Sequence, residues 1–284
     1  MEFVGTLELG APGCEDAAVV GAKAANLSRL AARYRVPPGF VVPAQPATGG
    51  LPPELWSATL EAYRALGERV GEAEPLVAVR SSALDEDGLD ASFAGQHATY
   101  LGIRGAAALH EAVTNALASA AAPAALAYRA ARGVQADDVR IAVLVQQLVP
   151  AEVSAVAFSM NIVTGDPDEV MINSSWGLGD PVVSGTVTPD TYLVSALEFN
   201  VLRRELGAKH VMLSVGADGV TETAVPEAQR ASPSLTEAQA AAIARLVCEL
   251  QARMGWPADI ECAFAGGELY LLQCRPITAS AGTA

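Results

Sequence analysis

Basic residues are scarce in this chain: 18 lysines and arginines stand against 32 acids, a formal charge of −14 over 284 residues. A surface so negative repels phosphate backbones and anionic lipid headgroups, so no general grip on nucleic acid or membrane is expected, and any phosphate must be held by a few placed cations. Histidine is scarcer still. His97, His110 and His210 are the only three, and none stands in an HExxH, Cys/His or Ser/His/Asp setting, so no metalloprotease or serine hydrolase is legible. The chain has no apolar run of 18 residues and no secretory leader, which argues against a membrane span or export. Its four cysteines, Cys14, Cys248, Cys262 and Cys274, form no CxxC pair and read as small apolar groups of a reduced, cytoplasmic protein.

What is present is a change of period along the chain. The stretch from Gly21 to Tyr34 spaces Leu27, Leu30 and Ala31 as one helical face, puts Lys23 in the first turn, and is stopped by Pro37-Pro38-Gly39 before a short strand. A Pro/Gly/Thr-rich connector over 43–53 leads to a helix expected over Glu54–Val70. "PLVAVRSS" then reads as a buried strand that delivers Arg80, with Ser81 and Ser82 turning the chain into the acidic loop Asp85–Asp87. One or two Ala-rich helices follow, interrupted at Pro123. From Asp138 the period falls from about 3.6 to 2, so "VRIAVLVQQLV", "SAVAFSM", "DEVMINSSW" and "DTYLVSA" read as strands of a sheet-rich second lobe. Its long helix is expected to start at a Ser234–Glu237 capping box and to end at Gly255. The expected division is therefore an N-terminal lobe over 1–137, a C-terminal lobe over 138–278 and a frayed tail over 279–284.

The final hairpin, "DIECAFAGGELYLLQCR", carries polar residues at alternate positions of otherwise apolar strands. Asp259 and Glu261 share one face of the first strand, and Gln273 and Arg275 share a face with Leu269 and Leu271 on the second. A two-residue Gly266-Gly267 turn would set Glu261 opposite Leu272 and separate the polar pairs. A three-residue loop, Ala265 to Gly267, would set Asp259 opposite Gln273 and unite all four. The longer loop is expected. A carboxylate, an amide oxygen and a guanidinium on one face suit a hard divalent cation bridging phosphates, and Mg²⁺ fits better than zinc. The glycine-rich segment Asn173–Asp190 by itself reads as turn chemistry.

Five blocks in one order, "GAKAANL" with "VPPGFVV", "VRSSALDEDGLDASFAGQHATYL", "VLVQQLV" with "SAVAFSMNIVTGD", "SSWGLGDPVVSGTVTPD" and "DIECAFAGGELYLLQCRPI", resemble the N-terminal ATP-binding domain of the phosphoenolpyruvate synthase / pyruvate phosphate dikinase family, which also includes rifampin phosphotransferase and the ATP-using subunit of phenylphosphate synthase. The resemblance implies an α+β ATP-grasp fold in which two lobes clamp the nucleotide, the C-terminal one sheet-rich. It implies ATP and Mg²⁺ as cofactors, Lys23 and Arg80 as triphosphate contacts, and Gly95, Gln96 and Gln146 as further nucleotide-binding positions. Glu261 and Gln273 become the metal ligands, Asp259 a supporting acid, and Arg275 the guanidinium for the transferred group. The chain departs from the family at Ala22, Ala24, Ala98, Ile162 and Asp180. No phosphorylatable histidine in a Ser-His context follows Arg275. The expected partner is therefore a separate swivelling domain bearing that histidine, from which the group passes to a small molecule. A stand-alone small-molecule kinase or ligase is the alternative, and a nucleotide-sensing module a third reading.

Overall fold

A computed structural model describes residues 5–47, 50–84, 98–121, 139–217 and 219–277. The chain is α+β and divides into two compact units, the first ending at Leu148 and the second running from Val149 to Ile277.

In the first unit, five strands lie in the order β1-β2-β5-β3-β4: β1 (Leu7–Glu8), β2 (Gly39–Pro46), β3 (Val77–Ala83), β4 (Thr99–Ile103) and β5 (Arg140–Gln147). β5 is therefore central to this sheet, although it lies past the boundary expected at residue 138. Its sequence, RIAVLVQQ, is apolar almost throughout, as a strand covered on both faces must be. Helices α2 (Pro53–Val70) and α3 (Ala106–Ser119) cover one face, where Phe40, Val77, Val79, Val143, Val145, Leu109 and Val113 form a continuous core. Helix α1 (Ala17–Ala31) covers the other. The 43–53 connector is shorter than expected, since β2 continues to Pro46 and accommodates Pro43 where its register with β5 shifts.

The second unit is a six-stranded antiparallel sheet in the order β13-β12-β6-β7-β8-β9. Its strands are β6 (Val153–Phe158), β7 (Glu169–Trp176), β8 (Asp190–Ser195), β9 (Val201–Glu205), β12 (Ala258–Ala265) and β13 (Glu268–Pro276). The short helices α4 (Asp180–Val183) and α5 (Glu227–Arg230) and a ribbon of β10 (Val211–Gly216) with β11 (Gly219–Ala224) flank it. Helix α6 (Glu237–Met254) packs along one face through Ala240, Ile243, Ala244, Val247 and Leu250. Strand alternation then sorts the side chains: Ala155, Ala157, Ile172, Tyr192, Ile260 and Cys262 are buried, whereas Val156, Phe158, Met171, Asn173, Thr191 and Leu193 are half-buried on the opposite face. That second face is where polar side chains gather.

The start of α6 differs from the expectation. Thr236 is the N-cap and Gln239 closes the capping box. Ser234 is drawn instead into the interior, where its N–H and hydroxyl both donate to Asp190 Oδ2 at 2.7 Å. Asp190 Oδ1 accepts from Gly207 N–H at 2.8 Å and from the Lys209 ammonium. Both charged side chains are wholly buried. Ser174 joins the cluster through a 2.7 Å hydroxyl contact with Ser234, so one carboxylate ties together β7, β8, the 207–209 loop and the approach to α6.

Candidate phosphate and metal face

The β12–β13 hairpin turns on two residues, not three. Ala265 pairs with Glu268, and Gly266 and Gly267 both adopt left-handed backbone, φ 58° and 80°. Two consecutive positive φ values match the right-handed twist of the flanking strands, which is why a Gly-Gly turn serves here. Gly266 N–H donates to Glu152 Oε1 at 3.1 Å, fixing the turn to the start of the unit.

By the parity of the strands, a two-residue turn would separate the polar pairs. A bulge restores them: Cys262 pairs with Leu271 but Glu261 with Gln273, leaving Leu272 as the extra residue. The pairs are therefore Asp259 with Arg275 and Glu261 with Gln273, rather than Asp259 with Gln273. Leu269 and Leu271 pair with Phe264 and Cys262 on the α6 face, opposite the face of Gln273 and Arg275, correcting the expectation that they share one. The four polar groups do converge, through a different device.

Arg275 Nε donates to Asp259 Oδ2 at 2.8 Å. Burial raises the Asp259 carboxyl above its ordinary range; the nearby Arg275 charge and its hydrogen bond pull it down, Glu261 pushes it up, and the net shift is upward. Gln273 is buried and Glu261 partly exposed. Among the described residues no group of three or more His, Cys, Asp or Glu could hold a metal. A face of two carboxylates and one amide fits Mg²⁺ all the same, because that ion keeps several waters and takes one or two carboxylates plus substrate phosphates.

In the first unit, Gly21 interrupts α1 with φ 75° and ψ 159°. A Cβ there would meet Ser82 Oγ at 2.3 Å and Ser82 O at 2.4 Å, so only glycine lets the helix approach β3 this closely. The helix resumes with Ala24 N–H donating to Ser82 Oγ at 3.3 Å and buried Lys23 donating from Nζ to Ser81 O at 3.1 Å. β3 continues to Ala83, so Ser81 and Ser82 are buried strand residues and not the expected turn. Arg80 pairs with Leu144 and Ala78 with Gln146, which places Arg80 and Gln146 on the α1 face of the sheet. Gln146 is buried, its amide donating to Pro37 O at 2.9 Å. Gly95, Gln96, His97 and the acidic stretch Asp85–Asp87 lie outside the described residues.

The glycine-rich segment after β7 has a packing role. Gly177 has φ 77°, and a Cβ on it would lie 2.2 Å from Leu213 O, the carbonyl that Leu178 N–H also engages at 2.8 Å. Sequence reasoning missed the Asp190–Lys209–Ser234 cluster, because nothing in spacing links positions brought together by three connections. It also missed Asn173 and Thr191, whose side chains bond at 2.9 Å on the half-buried face. A polar residue recurring inside "MINSSW" was their available signal.

The sequence pattern of the pyruvate phosphate dikinase AMP/ATP-binding domain matches residues 46–284. Phosphoenolpyruvate synthase of Pyrococcus furiosus is 39% identical over 80% of this chain and 29% of its own length. An uncharacterized phosphotransferase of Bacillus subtilis is 34% identical over 93% of this chain and 34% of its own. A prodigiosin-synthesizing transferase of Serratia marcescens is 36% identical over 92% and 32%. The chain thus spans about a third of the length of each of these three. It belongs to the pyruvate phosphate dikinase AMP/ATP-binding domain family. Among the described residues no helix is long and apolar enough to cross a membrane.

Proposed function

We propose that the chain is an ATP-grasp domain of the dikinase type, which binds MgATP and donates a phosphoryl or pyrophosphoryl group to a histidine on a separate swivelling domain and thence to a small molecule. The unit ending at Leu148 acts as the cation-bearing lobe: Lys23 and Arg80 contact the triphosphate, and Gln146, Gly95 and Gln96 contribute to the nucleotide site. The unit from Val149 acts as the metal-bearing lobe, with Glu261 and Gln273 as ligands. The observation that carries this reading is the β12–β13 face, where a bulge is spent on bringing Asp259, Glu261, Gln273 and Arg275 to one side. Bulges gather at sheet edges and beside active sites, where they re-aim side chains.

Mg²⁺ at Glu261 and Gln273 supplies neutralisation of the phosphate oxygens. Asp259 holds Arg275 by its Nε, which orients the partly exposed guanidinium at the face where the transferred group would lie. In the transfer, an imidazole nitrogen of the partner bonds to phosphorus as the phosphorus–oxygen bond to the leaving nucleotide breaks, and the imidazole then gives up its extra proton to solvent. Attack at the β-phosphorus releases AMP and attack at the γ-phosphorus releases ADP. Positioning and charge stabilisation suffice for this chemistry, so no nucleophile of this chain takes part.

The test is product analysis with pure protein, MgATP and a histidine-bearing swivelling domain. A labelled partner with AMP supports the dikinase reading; ADP with a phosphorylated small molecule supports a direct kinase. Failure to bind MgATP at all overturns both. Arg275→Ala is expected to lower turnover about a hundredfold or more while ATP affinity changes little, since its charge counts most in the transition state. Equal losses in both would overturn the catalytic role of Arg275.

A further inference from the structure

On the face opposite α6, one row of paired residues runs Gln273, Glu261, Val156, Asn173 and Thr191 across five strands. Glu261 and Asn173 thus stand two strands apart, about 9.6 Å between backbones, with the shorter Val156 between them. Both flanking side chains are longer and more polar than the valine between them. The Thr191 hydroxyl donates to Asn173 Oδ1 at 2.9 Å. That bond sets the plane of the amide and commits its oxygen, so the group Asn173 offers over Val156 is its NH₂. Glu261, Val156, Asn173 and Thr191 are all half-buried.

We infer that Asn173 is a phosphoryl-contacting residue of the same site: its amide nitrogen donates to an oxygen of the phosphate held by the cation at Glu261 and Gln273, and Thr191 is its positioning residue. The inference rests on the proposed metal-phosphate reading and adds a contact on the far side of the phosphate from the metal ligands. It names a neutral donor, suited to a group that must be released after transfer. The shared chemistry is a polyphosphate chain, whether the ligand is a nucleotide or not.

The probe is Mg-tripolyphosphate, with MgATP alongside, titrated calorimetrically into the full chain and its variants. Asn173→Ala is expected to weaken tripolyphosphate about tenfold, the usual effect of losing one hydrogen bond to a charged group. Asn173→Asp weakens it further, because the new carboxylate repels the anion without changing the side chain's size. Thr191→Val gives a smaller loss, about threefold, by freeing the amide to rotate. A matching loss for MgATP assigns the contact to the nucleotide's own phosphates. Unchanged tripolyphosphate affinity in Asn173→Ala and Asn173→Asp, with Glu261→Gln still weakened, overturns the inference and leaves the metal site standing. Absence of binding by the parent chain overturns both. Unaltered thermal unfolding of the Asp variant separates electrostatic repulsion from misfolding.

Discussion

Two carboxylate–cation pairs stand on opposite faces of the same sheet. On the α6 face, Asp190 accepts four hydrogen bonds, one of them from Lys209, and neither side chain reaches solvent. On the other face, Asp259 meets Arg275, whose side chain stays 36% exposed. The first pair is saturated by its own chain, with carboxylate oxygens that have nothing left to offer a ligand. The second keeps its guanidinium partly exposed and a carboxyl that burial makes reluctant to ionise. A charged pair built for architecture and one poised for chemistry therefore differ most in their access to solvent.

Breaking the architectural pair should have the largest effect on stability. Lys209→Met leaves the Asp190 carboxylate buried without its counter-charge, and is expected to cost about 3–5 kcal/mol in chemical denaturation. A cost under about 1 kcal/mol would mean that Ser234 and Gly207 alone hold the carboxylate. Glu261→Ala combined with Gln273→Ala strips the other face of its proposed metal ligands, and Mg²⁺-dependent nucleotide binding is expected to vanish. Retained binding in that variant would show that the face is not the ligand site.

Smaller effects sharpen the contrast. Arg275→Ala, the turnover variant, should cost under about 1 kcal/mol of stability, because solvent screens a half-exposed pair. Asp259→Asn should move stability the other way. The folded carboxyl binds its proton more tightly than the ordinary value of 3.8 allows the unfolded chain to do. Ionisation therefore lowers stability as pH rises from that value through the folded one. The Asn variant should match its parent in acid and exceed it at neutral pH, by melting temperature. A parent that gains on the variant as pH rises would reverse the sign assigned to burial.

Much of this was legible in residue pattern. The hairpin's alternate polar residues point to a shared face, and the helix from Glu237 to Met254 shows its apolar stripe. Lys23 and Arg80 are prominent because cations are few. Pairing is where one-dimensional reading stops. Strand parity with a Gly-Gly turn forbids the polar cluster, and only a bulge, a property of two strands together, permits it. Ser234 has the residue type and spacing of a cap, yet Asp190 recruits it from 44 positions away. β5 has the strand pattern expected, but nothing in its period tells which sheet it joins.

The Leu272 bulge also governs how the hairpin can change over time. β13 changes parity partway along: Leu269 and Leu271 belong to the core on the turn side, Gln273 and Arg275 to the opposite surface beyond it. Lengthening the hairpin by one pair of residues, one on each strand, preserves both assignments. A single insertion on the turn side exchanges core for surface unless a compensating deletion follows before Gln273. The tip can therefore grow only in matched steps, while Asp259, Glu261, Gln273 and Arg275 keep their addresses.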